Sequence, residues 1–229
     1  MIYVRTVTTA IICASISLAG CGGGNYDGGG NHGGGYVAPP TTTTQILSDS
    51  GLDGDIEQTS PTSLNVTQGM SPSVQSVFAG IDPVGFTEFR AFLDFPLTGA
   101  GGIPVYTTID SAFLDLFVKN IQPIDGRISI RIELVSFQPP TLLATDFDRT
   151  VQPQLTFARV ISLSPADVGT NVSIDVTSLM VEAQRLRVMD FQLRVLEDLG
   201  PPIPVLLEIN DTTGSNRQFH APLLTVTYY

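Results

Sequence analysis

RISIRIEL, residues 127–134, is the most regular stretch of the chain. Isoleucine or leucine occupies every second position, and arginine, serine or glutamate occupies the positions between them. Because successive side chains of a β-strand point to opposite faces, this alternation predicts a strand with one buried face and one solvated face. Strands of this kind are typical of antiparallel sheets that face water on one side.

The same alternation recurs along the chain from about residue 45, between short breaks rich in glycine, proline, asparagine and aspartate. The further alternating or apolar segments are 86–97, 108–118, 172–176, 189–195, 205–209 and 223–229. So many short segments, separated by turn residues, predict an all-β domain whose antiparallel strands form a jelly-roll β-sandwich.

One segment, residues 178–188, breaks the period of two. It is rich in helix formers, and either Thr177 or Ser178 can act as its N-cap. Leu179, Ala183 and Leu186 fall on one face at helical spacing. We therefore expect one short helix that covers an end of the sandwich.

The N-terminal part of the chain has a different composition. Arg5 is the single charge in residues 1–20, and the mostly apolar run from Thr6 to Leu18 is shorter than the roughly 20 residues that span a bilayer. These features are typical of a secretory signal peptide. Residues 21–44 are rich in glycine, proline and threonine, which predicts a disordered, flexible tether before a β-sandwich domain at 45–229.

The signal segment ends in Leu18-Ala19-Gly20-Cys21, which resembles the lipobox of bacterial lipoproteins. The resemblance implies that the signal is removed and that Cys21 becomes an acylated N-terminus held in a lipid bilayer. Several acyl chains, each contributing about 0.8 kcal/mol per buried CH₂, make such an anchor effectively permanent. Gly22 stands where an aspartate usually retains such proteins in the inner membrane, so the implied location is the bacterial cell envelope, at the outer membrane.

Charge and cysteine content narrow the class of protein further. The chain has 22 acidic and 11 basic residues and a formal net charge of −11. Because nucleic-acid binding relies on clustered lysine and arginine, and Lys119 is the only lysine, nucleic acid is not expected as a partner. Cys13 lies in the signal and Cys21 in the lipid anchor, which leaves no pair for a disulfide in the mature domain.

Three segments carry a resemblance to a known family: 89–118, 174–180 and 222–228. Within the first segment the matching residues are Arg90, Leu93, Phe95, Pro104, Ile109, Ser111, Ala112, Leu114 and Leu116. In order and spacing, the three segments resemble the DNRLRE-type domains, a jelly-roll group that includes the carbohydrate-binding family 96 modules. The resemblance implies a jelly roll over 45–229 and a polysaccharide ligand. The tryptophan that the family's helix often carries is missing, because the chain has none.

Sugar-binding modules usually recognise their ligands with aromatic rings, polar side chains and arginine. The candidate ligand-binding residues are Tyr106, Arg131, Phe137, Phe147, Arg149 and Arg159. The alternative is that the phenylalanines belong to the core, as most aromatic residues of a sandwich do.

An acidic stretch before the first strands of the domain suggests a calcium site. Its candidate ligands are Asp49, Asp53, Asp55 and Glu57. Carboxylates are ligands that calcium prefers, but their spacing does not match the EF-hand loop, so an ordinary acidic turn is the alternative. Asp146 and Asp148 form a weaker candidate. No motif requires a cofactor.

No constellation in the sequence specifies a reaction, so we expect a protein that is not an enzyme. The histidines are His32, in the tether, and His220, and no G-x-S-x-G motif accompanies them. A pair of carboxylates such as Asp190 and Glu208 is the remaining enzymatic alternative, for glycoside hydrolysis. Two non-catalytic hypotheses stay open: a tethered domain that binds polysaccharide or another envelope polymer, and a structural lipoprotein that contacts envelope proteins.

Overall fold

The computed structural model describes residues 38–137, 140–198 and 204–229. The signal peptide, Cys21, His32 and most of the predicted tether lie outside the described residues. The first strand begins at Thr42, three residues before the predicted start of the domain at residue 45.

The described residues form twelve strands and few helices. The strands are β1 (Thr42–Leu47), β2 (Gly54–Ser60), β3 (Ser63–Gln68), β4 (Ser76–Ile81), β5 (Glu88–Pro96), β6 (Ile109–Gln122), β7 (Ile128–Val135), β8 (Arg159–Leu163), β9 (Asn171–Asp175), β10 (Asp190–Glu197), β11 (Leu206–Asn210) and β12 (Leu223–Tyr228). The helices are α1 (Thr177–Leu186) and the single turn α2 (Arg217–His220), with short 3₁₀ turns at Ala144–Phe147 and Pro165–Asp167. Every pairing between these strands is antiparallel, which confirms the predicted all-β, sandwich-like fold.

The long strand β6 joins the two layers of the curled sheet. Residues 109–117 of β6 pair with β12 and β9, whereas the residues from Val118 onward pair with β11. We call β1, β12, β9 and the first part of β6 the front sheet. The rear sheet runs β11-β4-β5-β10-β7-β8, with β2 paired to β5 and β3 paired to β2.

The main core lies between the two sheets and contains the inward side chains that the alternation predicted. Ile128, Ile130, Ile132 and Leu134 of β7 are each at most 1% exposed. They pack in one cluster with residues of the front sheet such as Leu114. Burial of each such side chain contributes about 1.5–3 kcal/mol to folding, so this cluster is the main source of stability.

The outer face of the rear sheet differs from the prediction, because it is covered rather than solvated. Glu133 of β7 and Arg194 of β10 are both fully buried. A second cluster of apolar side chains lies here, comprising Ile56, Phe92, Val135, Phe137, Leu142 and Phe147. Four of its members lie on β7 or on the segment that follows it, so the described part of the β7–β8 connection packs over this face.

Helix α1 confirms the predicted short helix, with two differences in detail. Its buried side chains are Leu179, Met180 and Ala183, whereas Leu186 is 39% exposed. Thr177 does not cap the helix; instead its hydroxyl accepts a hydrogen bond from the backbone N–H of Ala112, at 2.9 Å, and so attaches the helix to β6. No helix in the described ranges has the length and apolar character required to cross a membrane.

Candidate ligand-binding face

The front sheet presents an outer face that mixes aromatic and polar side chains. On β6, Phe113, Asp115 and Phe117 point outward, because they alternate with the buried Ala112, Leu114 and Leu116. The neighbouring strands add Asn171, Ser173 and Asp175 from β9 and Thr225 and Thr227 from β12. We call these outward side chains the front face.

The front face is open, in contrast to the covered outer face of the rear sheet. Phe113 is 40% exposed, and Ser173 and Asp175 of the adjacent strand are exposed as well. Contiguous exposed apolar surface that is rimmed by polar side chains usually marks an interaction site. The two outer faces of the domain are therefore not equivalent.

One end of the front face deepens into a groove with a volume of about 420 Å³. Its aromatic wall consists of Phe117 and His220, whose ring centroids lie 4.4 Å apart, and of Phe219, which is 60% exposed. The Asn171 amide donates to the backbone carbonyl of Phe219 at 3.3 Å and so fixes the turn against β9. The groove combines ring faces with side chains that can exchange hydrogen bonds with a ligand.

The position of Phe219 and His220 depends on one arginine at the start of α2. The Arg217 guanidinium donates to Asp211 Oδ1 at 3.0 Å, to the Thr212 carbonyl at 3.2 Å and to the Ser48 carbonyl. Asp211 is fully buried. The turn that carries the groove residues is therefore held to the ends of β1 and β11 by a partly buried ion pair.

The chemistry of the groove favours uncharged or basic ligands. Asp115 is its one carboxylate, and neither lysine nor arginine is among the described residues that line it. Polar groups at the groove include Thr170, Asn171 and Gln218. Polar side chains make up about half of the lining, so the groove is more polar than the mainly apolar pockets that bind drug-sized molecules.

The aromatic residues that the sequence suggested as ligand contacts lie elsewhere. Phe137 and Phe147 are only 3% and 6% exposed and belong to the second core cluster. Tyr106 is 91% exposed in the connection between β5 and β6, and it does not line the groove. Both phenylalanines therefore lie in the core, as the alternative interpretation of the sequence states.

The suggested arginines are also dispersed, and two of them pair with carboxylates. Arg131 contacts Asp198 at 2.7 Å, and Arg149 contacts Glu133 at 2.5 Å. Arg159 is exposed on β8. Arg149 lines a shallow pocket of about 410 Å³ together with Arg90, but Arg90 pairs with Glu88 at 2.7 Å.

Arg149 belongs to a buried network that attaches the covering segment to the rear sheet. Arg194 donates twice to one oxygen of Glu133, at 3.0 and 2.7 Å, while Arg149 bonds the other oxygen. Arg194 also donates to the backbone carbonyl of Asp146 at 2.9 Å. Burial lowers the pKa of Arg194, whereas the hydrogen bonds and charge of Glu133 raise it. The ion pair with Glu133 therefore stabilises the buried positive charge of Arg194.

Asp146 and Asp148, the weaker calcium candidates, bond to nearby backbone groups. Asp146 accepts the backbone N–H of Leu143 at 2.8 Å, and Asp148 accepts that of Thr150 at 2.7 Å. Both carboxylates therefore stabilise turns of the covering segment.

The four main calcium candidates separate into two places. Asp55 accepts the backbone N–H of Phe78 at 3.1 Å, and Glu57 accepts the Asn65 amide at 3.2 Å. Both line a cleft of about 370 Å³, and burial raises the pKa of Asp55 to about 7. Asp49 and Asp53 lie at the turn before β2, where Asp53 bonds the backbone N–H of Asp94.

The carboxylates suggested for glycoside hydrolysis have different neighbours. Glu208 lies in the cleft of Asp55, where it contacts Lys119 at 2.7 Å and accepts the Ser76 hydroxyl at 2.9 Å. Asp190 is the first residue of β10. Burial is the main cause that raises its pKa, and the charge of Asp49 is the second. His220 contacts Phe117 through its ring.

The sequence contained a signal for the front face that residue type alone does not reveal. Phe113 and Phe117 occupy the positions between the apolar residues of the alternating segment 108–118. An aromatic residue at an outward position of a strand is exposed by the geometry of the strand. No comparable pattern marks Phe219, which becomes part of the groove through the Asp211–Arg217 ion pair.

The fold and the face define this protein as an antiparallel β-sandwich domain with one covered and one open outer face. Neither a scan of protein-family models nor a search of curated proteins found a match for the chain.

Proposed function

We propose that this protein is a non-catalytic lipoprotein of the bacterial cell envelope, anchored in the outer membrane by an acylated Cys21. Its domain, of the DNRLRE-type jelly-roll kind, presents the front face to polysaccharide or another extracellular polymer. The observation that carries the proposal is the groove in which Phe117, Phe219 and His220 stand beside Asp115 on an otherwise open sheet.

The arrangement of the aromatic residues suits an extended ligand. Phe113 and Phe117 lie four residues apart on β6, which corresponds to roughly 13 Å along a strand. A polymer that lies along β6 can therefore contact both rings with the apolar faces of separate sugar units. Between them, Asp115 is placed to accept hydrogen bonds from hydroxyl groups.

The charges of the face indicate which polymers are suitable. Asp115 and Asp175 are the acidic groups of the front face, and the whole chain carries a net charge of −11. Like charges that face one another across an interface weaken binding. The proposed ligand class is therefore a neutral or amino-sugar polymer, and uronate polymers are disfavoured.

Titration against a panel of polymers tests this function. We expect saturable binding of at least one neutral or amino-sugar polysaccharide by the full chain in detergent, and weaker binding of uronate polymers at the same ionic strength. Calorimetry or affinity electrophoresis measures both. The absence of binding to every polymer at millimolar sugar concentration contradicts the proposal.

A second candidate function is contact with an envelope protein, and one surface favours it. A recess of about 160 Å³ beside α1 is lined mainly by apolar side chains, including Ile103, Val105, Met180 and Met189. Val105 is 51% exposed and Met189 is 64% exposed. Exposed apolar patches are typical of protein interfaces, so a failure of the polymer panel favours this function.

The anchor has a separate test. Cys21→Ser removes the thiol that would carry the lipid, so the variant is expected to leave the membrane fraction for the soluble fraction. Fractionation of cells followed by immunoblotting measures the change. If Cys21→Ser fractionates with the membrane as the wild type does, the anchor is not this cysteine.

A further inference from the structure

The cleft of Asp55, on the rear sheet, carries an excess of negative charge. Its volume is about 370 Å³, and its lining includes the carboxylates of Asp55, Glu57 and Glu208 and the ammonium group of Lys119. Lys119 contacts Glu208 at 2.7 Å and balances its charge. No ion pair among the described residues involves Asp55 or Glu57. The cleft is therefore suited to a cationic ligand.

The cleft opens where two strands of the rear sheet separate. β4 pairs with β5 at Gly80 and Ile81. Nearer the start of β4, the backbone N–H of Phe78 donates instead to Asp55 Oδ2, at 3.1 Å. Asp55 of β2 thus takes the place of a neighbouring strand at this edge of β4, and residues from both strands line the cleft.

One oxygen of the Asp55 carboxylate is left for a ligand. Asp55 is only 5% exposed. Its Oδ1 accepts no hydrogen bond from the residues that the structure describes, and it is not among the unpartnered oxygens that the protein encloses completely. Oδ1 is therefore reached from the cleft that Asp55 lines. Because a buried carboxylate is unfavourable without donors or a counter-charge, a ligand with a charged N–H donor satisfies this oxygen.

Two aromatic rings lie beside these carboxylates. The ring centroids of Phe78 and Phe89 are 5.8 Å apart, both side chains are half-buried, and both line the cleft. Phe89 lies opposite Glu57 in the pairing of β2 with β5. Ring faces attract ammonium groups, and they offer apolar surface to methylene groups. The cleft therefore suits a cation that also has an aliphatic part.

We propose that the cleft of Asp55 binds aliphatic diamines and polyamines. Asp55 and Glu57 are two residues apart on β2, so they share one side of the strand with their Cα atoms roughly 7 Å apart. The two ammonium groups of 1,4-diaminobutane are separated by a similar length, and each contacts one carboxylate. The methylene groups between them pack against the rings of Phe78 and Phe89, which a simple metal cation cannot do.

Calorimetric titration of the full chain in nonionic detergent, with 1,4-diaminobutane at pH 8, tests the site. We expect saturable binding in the millimolar range or tighter. Butylamine has one ammonium group, so it loses one charge-assisted hydrogen bond and is expected to bind about tenfold more weakly at the same ionic strength.

Two variants remove one charge each and keep the size of the side chain. Asp55→Asn and Glu57→Gln are each expected to weaken binding of 1,4-diaminobutane about tenfold or more. The amide oxygen of Asp55→Asn still accepts the Phe78 N–H, and circular dichroism checks that both variants fold. The control is Asp110→Asn, which removes an exposed carboxylate outside the cleft and is expected to bind as the wild type does.

The pH dependence separates this site from general attraction of amines to an acidic chain. Burial, and after it the charge of Glu57, raises the pKa of Asp55 to about 7 against the lowering effect of the Phe78 N–H. The other charged groups of the cleft, Glu208 and Lys119, pair with each other. Aliphatic amines stay charged between pH 6 and 8. Affinity is therefore expected to rise over this range as Asp55 loses its proton, and Asp55→Asn is expected to show no rise.

Three results would each overturn the proposal. The first is the absence of saturable 1,4-diaminobutane binding by the wild type in the millimolar range. The second is butylamine binding as tight as that of the diamine. The third is an equal loss of affinity in Asp110→Asn and Asp55→Asn, which identifies nonspecific attraction to the net charge. The front face does not contribute to the cleft, so these results leave its proposed function unaffected.

Discussion

Glu133→Gln is expected to lower the free energy of unfolding by about 3–5 kcal/mol, because it leaves the buried Arg194 guanidinium without its counter-charge. Arg194 and Glu133 are both fully buried, and two of the hydrogen bonds of Arg194 end on a single carboxylate oxygen. The substitution also removes the charge that holds Arg149 at 2.5 Å. Urea denaturation at neutral pH, followed by circular dichroism, measures the loss.

Glu182→Gln is the matched control, since it removes the carboxylate of an ion pair within α1 whose partner, Arg185, is 67% exposed. Exposed pairs of this kind contribute little, so the urea midpoint of Glu182→Gln is expected to equal that of the wild type. Equal, small effects of the two variants would contradict the interpretation that the Glu133–Arg194 pair attaches the covering segment to the rear sheet.

Phe117→Ala is expected to weaken polymer binding by about 10- to 100-fold. Burial of a phenylalanine side chain against a ligand contributes about 1.5–3 kcal/mol, and each 1.4 kcal/mol corresponds to a tenfold change in affinity. Phe117 also contacts the ring of His220, with 4.4 Å between the ring centroids, so the truncation removes one ring of the aromatic wall and loosens a second. Calorimetric titration with the polymer that binds most tightly measures the change.

The control for this variant is Phe157→Ala. Phe157 is 91% exposed on the segment before β8, which is an edge strand of the rear sheet. Its truncation removes the same aromatic ring from an exposed position, and the affinity is expected to stay at the wild-type value. If both variants lose affinity equally, the polymer adsorbs nonspecifically to exposed aromatic rings, and the front face is not a specific binding site.

The strands could be predicted from the sequence because their inward side chains obey a local rule. Ile128, Ile130 and Ile132 of β7 are buried as the period of two requires. The same rule predicted that Glu133 would be exposed to solvent, but Glu133 is buried. Alternation distinguishes the two faces of a strand, and it does not show what packs on each face. The cover comes from the β7–β8 connection, whose irregular sequence contains no periodic signal.

The candidate site was less predictable, because its residues meet through long-range contacts. His220 follows Phe117 by about 100 residues, and their rings meet because β12, which begins just after His220, pairs with β6. Residue type misled for Phe137 and Phe147, since an aromatic ring suits a core as well as a sugar site. For Phe113 and Phe117 the position within an alternating strand was the informative feature.

Mapping of the binding surface in solution tests the central claim most directly. In ¹H–¹⁵N spectra of the ¹⁵N-labelled Cys21→Ser chain, a neutral oligosaccharide is titrated and the shifted backbone resonances are assigned. We expect the largest shifts at β6 residues 113–117, at Asn171 of β9 and in α2, with little change at β7. Shifts concentrated in the cleft of Asp55 and Lys119, or in the recess beside α1, would contradict the assignment of the front face as the ligand-binding surface.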